Sequence, residues 1–130
     1  MDAPCVPISW GELIDKITIL EIKNERLKSA AARSNVKKEL ALLNEITATL
    51  PILHEISGPR NELSTINAKL WDIEDEIRAK ESNMKFDEEF IELARSVYKL
   101  NDLRAATKRK INEFLSSDLK EEKSYTNWND

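Results

Sequence analysis

The chain has 130 residues, 34% of them charged, and a formal net charge of -4. Its size suits one domain whose core needs neither metal nor disulfide, and its acidic balance speaks against a general binder of nucleic acid or anionic membranes, because phosphate contacts need a basic face. One cysteine, Cys5, and one histidine, His54, exclude an internal disulfide framework and a Cys- or His-rich zinc site within the chain.

Two Gly and four Pro are few for this length and predict long helices with few tight turns. The opening MDAPCVPISW lacks the basic and apolar regions of a secretory signal, and no segment approaches the roughly 20 apolar residues that span a bilayer, so a soluble cytoplasmic protein is expected. The first helix is predicted over 10–32. Ser9 and Glu12 have the spacing of a capping box, and Leu13, Ile17, Leu20 and Leu27 follow on one face with Asn24 inside the stripe. The second helix starts at Ser34 or Asn35, carries Val36, Leu40, Leu43, Ile46 and Leu50 inward, and stops near Thr49, because Pro51 cannot donate a backbone N–H and disfavours a helical residue before it.

The pair Gly58-Pro59 reads as another break, so 51–59 is expected to be a connection or a short irregular helix. A third helix over 60–83 has Leu63, Ile66, Leu70, Ile73 and Ile77 as its core line. The fourth has the clearest start: Asp87 as N-cap, Phe86 and Ile91 at staple positions, and Glu88 and Glu89 at the positive end of the helix dipole. Phe90, Leu93, Val97, Leu100, Ile111 and Phe114 carry it inward to about 115. Residues 116–130 form a tail whose Tyr125 and Trp128 are expected to dock on this subunit or another. The fold class is therefore all-α: an antiparallel helical bundle of about four long helices in a single domain, 1–130, with a homodimer expected to cover the apolar surface that remains.

Polar residues interrupt the stripes. Asn67, Trp71, Glu74, Arg78 and Glu81 share one line of the third helix, with Asp75 beside them, and Asn101, Arg104 and Lys108 share a face of the fourth. Asn24 has the matching place in the first. Groups of this kind cost several kcal/mol each when buried unpaired, by order of magnitude, so they must meet one another, water or a ligand. As a cleft, the acids, amides and cations would suit an anionic or polyhydroxyl metabolite such as a sugar phosphate or nucleotide. As a seam, they would fix helix register and partner choice. Carboxylate pairs at 74–75 and 88–89 suit magnesium in principle, but helical acids are mostly solvated, and neither a metal nor another cofactor is expected. The fourth helix concentrates Arg95, Lys99, Arg104, Lys108, Arg109 and Lys110 against Asp102; the run 108–110 complements its C-terminal dipole, and Tyr98 alone does not supply the interleaved aromatics of a nucleic-acid surface.

The segments SWGELIDKITILEIKNERL, INAKLWDIEDEIR, FDEEFIELARSVYKLNDLRAATKRKIN and EEKSY together resemble a family of small, all-helical bacterial and phage proteins of unknown function, over about residues 8–125. The resemblance implies no assigned catalytic residue, and it implies a link to surface-polysaccharide synthesis. The expected function is a self-associating or partner-binding helical module. The alternative is a small enzyme or binding protein for a phosphorylated sugar or nucleotide, with Glu74 as base or metal ligand and Arg78, Arg104 and Lys108 holding the anion.

Overall fold

A computed structural model describes residues 1–50 and 53–129, and among them the regular structure is entirely helical. The helices are α1 (Trp10–Arg26), α2 (Ala30–Thr47), α3 (Ser57–Ser82) and α4 (Glu88–Phe114), with a 3₁₀ turn at Leu53–Ile56 ahead of α3. The break expected at Pro51 lies outside the described residues. No helix among them is long and apolar enough to cross a membrane.

The first two helices divide earlier than their periodicity suggests. α1 ends at Arg26 rather than 32, because Leu27 turns extended at φ -66 and ψ 134. Ser29 then caps α2, its hydroxyl accepting from the Ala32 N–H, so Ser34 and Asn35 lie inside the helix instead of starting it. Three alanines after that cap, Ala30 to Ala32, are the strongest helix formers available and let α2 begin at once. Gly58 and Pro59 are likewise no break. They fall in the first turn of α3, where a missing proline N–H has no intrahelical partner to lose. At α4 Asp87 caps as expected, but the Phe86 ring meets Phe90 edge-to-face at 5.3 Å, and Ile91 is left 51% exposed.

α1 packs on each of the other three helices, and α3 packs along α4. Ile14 of α1 meets Ile56, Leu63 and Ile111 in a buried centre, with Trp10 and Leu115 against it. α1 runs antiparallel to the C-terminal half of α4, as Gly11 meets Asn112, Glu12 meets Lys108 and Asp15 meets Arg104. Length then sets the outline. α1 has 17 residues and α3 and α4 have 26 and 27, or about 25 Å against about 40 Å at 1.5 Å per residue. The last turn of α1 reaches Asp72 through Arg26, and beyond that level α3 and α4 continue as a two-helix arm. No residue from 68 to 106 is fully buried.

The arm closes through a turn that satisfies the end of α3. Met84 adopts φ 54, its N–H donates to the Glu81 carbonyl, and the Lys85 N–H donates to that of Lys80. The same pattern ends α4: Ser116 has φ 50, and the Ser117 N–H donates to the Asn112 carbonyl at 2.8 Å.

Candidate functional site

The strongest concentration of buried polarity lies where α1 crosses α3 and α4. Asp15, 1% exposed, is held in α1 between the core residues Ile14 and Ile17. Its carboxylate accepts two hydrogen bonds from the Arg104 guanidinium, Nε to Oδ1 at 2.9 Å and Nη2 to Oδ2 at 2.5 Å. Asn67 of α3 donates to the same Oδ1 at 2.9 Å and to the Thr18 hydroxyl at 3.0 Å. Thr18 in turn donates to the Asp15 backbone carbonyl at 2.7 Å. The fork-to-fork pairing is the strong, directional form of an ion pair, and it ties three helices at one point. The Asp15 hydrogen bond raises Arg104 above its ordinary pKa, outweighing burial.

One helical turn along α4, Lys108 enters the interior with only 6% of its side chain exposed and meets Glu12 and Glu121 at 2.7 Å each. Burial pushes this ammonium down, but the two carboxylates outweigh it and hold it above its ordinary range. Glu121 belongs to the tail, which folds back along α4: Arg109 meets Glu122 at 3.7 Å, and Trp128 donates its indole N–H to Asp102 beneath Lys99. The Trp128 ring also meets Tyr98, centroids 6.0 Å apart, whereas Tyr125 is 79% exposed. Between tail and helix lies a groove of about 680 Å³ lined by Val97, Tyr98, Asn101 and Trp128 among others.

A third contact closes the start of α1. The Gly11 N–H donates to Asn112 Oδ1 at 2.6 Å, the Trp10 N–H to the Ser117 hydroxyl at 3.3 Å, and the Glu12 N–H to Ser9. The orphan amides of the helix are thus satisfied by its own cap and by the end of α4. Against known proteins, a family model matches residues 5–129, nearly the whole chain. The chain belongs to the DUF6165 family. This is a family of unknown function, and no curated protein and no solved structure matches the chain.

In this DUF6165 chain the polar residues singled out by spacing divide into two groups. Asn67, Arg104 and Lys108 lie in the buried seam, and Asn101 is beside it, its Oδ1 3.5 Å from Arg104 Nη1. Asn24 stands apart in α1, half-buried, its Oδ1 enclosed without a hydrogen-bond partner among the described residues. Glu74, Asp75, Arg78 and Glu81 project from the arm into solvent, with Glu74 and Arg78 paired at 3.6 Å while 60% and 77% exposed. Trp71 is half-buried on the arm. Their helix line is continuous with Asn67, but α1 stops too early to cover it. No group of three or more His, Cys, Asp or Glu with metal-binding geometry occurs among the described residues.

Spacing missed Asp15, Thr18, Glu12, Asn112 and Glu121. A signal was present: Gly11, Asp15, Thr18 and Ile22 follow at steps of four, three and four, a second line around α1 beside Leu13 and Ile17. Two buried lines on one helix mean a helix enclosed on several sides, where an acid must be paired.

The Lys108–Glu121 pair makes tail docking depend on pH. Lys108 holds Glu121 below the usual carboxylate range, so the stabilisation is complete above about pH 4.5 and lost as pH falls through the lowered value. Glu121→Gln therefore weakens tail docking at pH 7, and its effect disappears as pH falls through the lowered value. The check is Trp128 fluorescence in a Trp10→Phe/Trp71→Phe background, titrated with and without the change. A difference that stays constant down the whole acid titration would show that the pair does not hold the tail.

Proposed function

We propose that this chain is a non-enzymatic helical module that works by associating with protein surfaces, its own or another chain's. The buried Asp15–Arg104–Asn67 seam fixes the register of the helices that present the arm. The observation that carries this reading is the enclosure of Asp15, buried and held by Arg104 and Asn67. Three side-chain donors engage its two oxygens, and the acids of the predicted cluster, Glu74, Asp75 and Glu81, stand exposed on the far side of Asp72. A carboxylate used as a base or metal ligand needs a free lone pair facing an opening, and this one faces Arg and Asn. The arm supports the other half of the reading: an α-hairpin with half-buried Ile73, Ile77, Phe90, Leu93 and Val97 covers its apolar stripe on one side only. Partners to try first are the enzymes of surface-polysaccharide synthesis that the family resemblance implies.

A thermal-shift screen of the full chain with sugar nucleotides, inorganic phosphate and divalent ions separates this from the small-molecule alternative, since a ligand that prefers the native state raises its melting temperature. The expected result is no shift with any of them, together with a lower melting temperature for Arg104→Ala. A ligand-dependent rise that Arg104→Ala abolishes would overturn the proposal in favour of a phosphorylated-metabolite site.

A further inference from the structure

The open edge of the α3–α4 hairpin carries a charge pattern that is complementary to itself. The apolar stripes of the two helices are Leu63, Ile66, Leu70, Ile73 and Ile77 on α3, and Phe90, Leu93, Val97, Leu100 and Ile111 on α4. α1 lies along one edge of this pair, and the tail folds over the back of α4, where Lys123, Tyr125 and Asn127 share a groove with Arg109, Lys110 and Glu113. The opposite edge is open. On α4 it presents Glu89, Ser96, Leu103 and Lys110 at seven-residue intervals, and on α3 Glu62, Lys69 and Glu76. Leu103 is 54% exposed there and Phe114 50%, although both belong to the apolar half of the helix.

The level of each residue is fixed by contacts across the hairpin. Lys110 meets Glu62 at 3.7 Å, and a groove of about 420 Å³ midway up is lined by Lys69, Asp72 and Ile73 from α3 and Ser96, Lys99 and Leu100 from α4. A twofold axis through that groove, perpendicular to the helices, turns a second copy end for end. α4 then lies antiparallel on α4 of the second copy, and α3 on α3. Glu89 of each copy, which within its own chain meets Lys80 at 3.0 Å, then faces Lys110 of the other, Ser96 faces Leu103, and Lys69 faces Glu76. Asp72 and Lys99, the charges nearest the axis, are already turned aside, Asp72 to Arg26 and Lys99 over the Trp128 ring.

We infer that the open edge of the α3–α4 hairpin is an antiparallel homodimer interface. The inference rests on the association reading above and names its occupant as a second copy. Two further quantities support it. Residues 70–100 hold nine Asp and Glu against five Lys and Arg, which accounts for the whole net charge of -4. A parallel dimer would press two acidic arms together, whereas the antiparallel one sets each acidic tip against the end of the hairpin that carries Lys110. A two-helix face about 40 Å long and about 20 Å wide offers on the order of 800 Å² per partner, which is the size of a standard specific interface.

Sedimentation equilibrium on the full chain tests this. The wild type is expected to run as a dimer, and Leu103→Arg as a monomer with an unchanged helical circular-dichroism spectrum, because the side chain is more than half exposed. Glu89→Lys and Lys110→Glu should each weaken association on the order of tenfold, and the double variant should return to near the wild-type constant. A dimer that survives Leu103→Arg, or a double variant no tighter than its parents, overturns this interface and its register while leaving self-association standing. A wild type that stays monomeric at about 100 μM, corresponding to association weaker than about -5.5 kcal/mol, removes the second copy as occupant and leaves only association with a different protein.

Discussion

Arg104→Met is expected to lower the stability of the folded chain by about 3–5 kcal/mol, the cost of stripping the cation from a buried carboxylate. Asp15 is 1% exposed and sits between Ile14 and Ile17, so it has no rotamer that leads to water without moving the core. Asn67 cannot substitute for the guanidinium, because its Nδ2 already serves both Asp15 and Thr18. The converse change is milder. In Asp15→Asn the arginine keeps 27% of its side chain in solvent and can rehydrate. Replacing all three groups with apolar residues of similar volume, as Asp15→Leu/Asn67→Leu/Arg104→Met, should recover most of the loss, since well-packed hydrophobes often match a buried ion pair. Urea denaturation at pH 7 orders the three variants. If Arg104→Met cost less than Asp15→Asn, the pair would not be desolvated as its geometry implies, and the seam would be ordinary surface chemistry.

That ordering also explains why the seam was only half legible in the sequence. Arg104 and Lys108 stand out because they interrupt a strict three-and-four stripe, and a cation in such a place must be answered by an acid. The spacing says nothing of which acid. Glu74 looked suitable because it continues the line of Asn67 on the same helix, but helical periodicity describes only the face a residue occupies. Whether that face is covered depends on how far the neighbouring helix extends, and here α1 ends at Arg26. The six residues between that end and the expected one amount to about 9 Å of helix, enough to have covered Glu74. What ended α1 was Ser29 capping a run of alanines, a local signal weaker to the eye than proline or glycine but sufficient when the helix behind it is equally favourable.

The starts of helices were more readable than their ends for the same reason. Ser9 and Asp87 each accept from the backbone N–H three residues on, as their positions before acidic and apolar runs imply. Gly58-Pro59 misled because both residues disfavour helix interiors, and neither the first turn nor an N-terminal position can be distinguished from a loop without knowing where the preceding turn closes. The tail was unreadable in detail. Its anchors, Glu121 on Lys108 and Trp128 on Asp102, join residues 13 and 26 positions apart that no local pattern connects.

Gly11→Ala should destabilise the chain, while Gly58→Ala stabilises it, though both replace a helical glycine with the best helix former. A Cβ at Gly11 falls inside contact distance of the Lys108 backbone carbonyl and 2.9 Å from Asn112 Oδ1, whereas one at Gly58 meets nothing within 4 Å. At residue 58 the substitution therefore gains about 0.5–1 kcal/mol from reduced freedom of the unfolded chain. At residue 11 the same gain is offset by about 1–3 kcal/mol of overpacking against backbone that cannot rotate away. Separating α1 from α4 to make room would also break the Gly11–Asn112 hydrogen bond and draw Asp15 from Arg104, one turn along the same pair of helices. Asn112→Ala isolates the hydrogen bond from the crowding, because it removes the acceptor and adds no volume, and its cost should fall between the two glycine variants. Denaturant midpoints for the three variants give the result directly. Equal gains for Gly11→Ala and Gly58→Ala would mean that α1 does not press on α4, and the alignment that brings Asp15 to Arg104 would lose its mechanical basis.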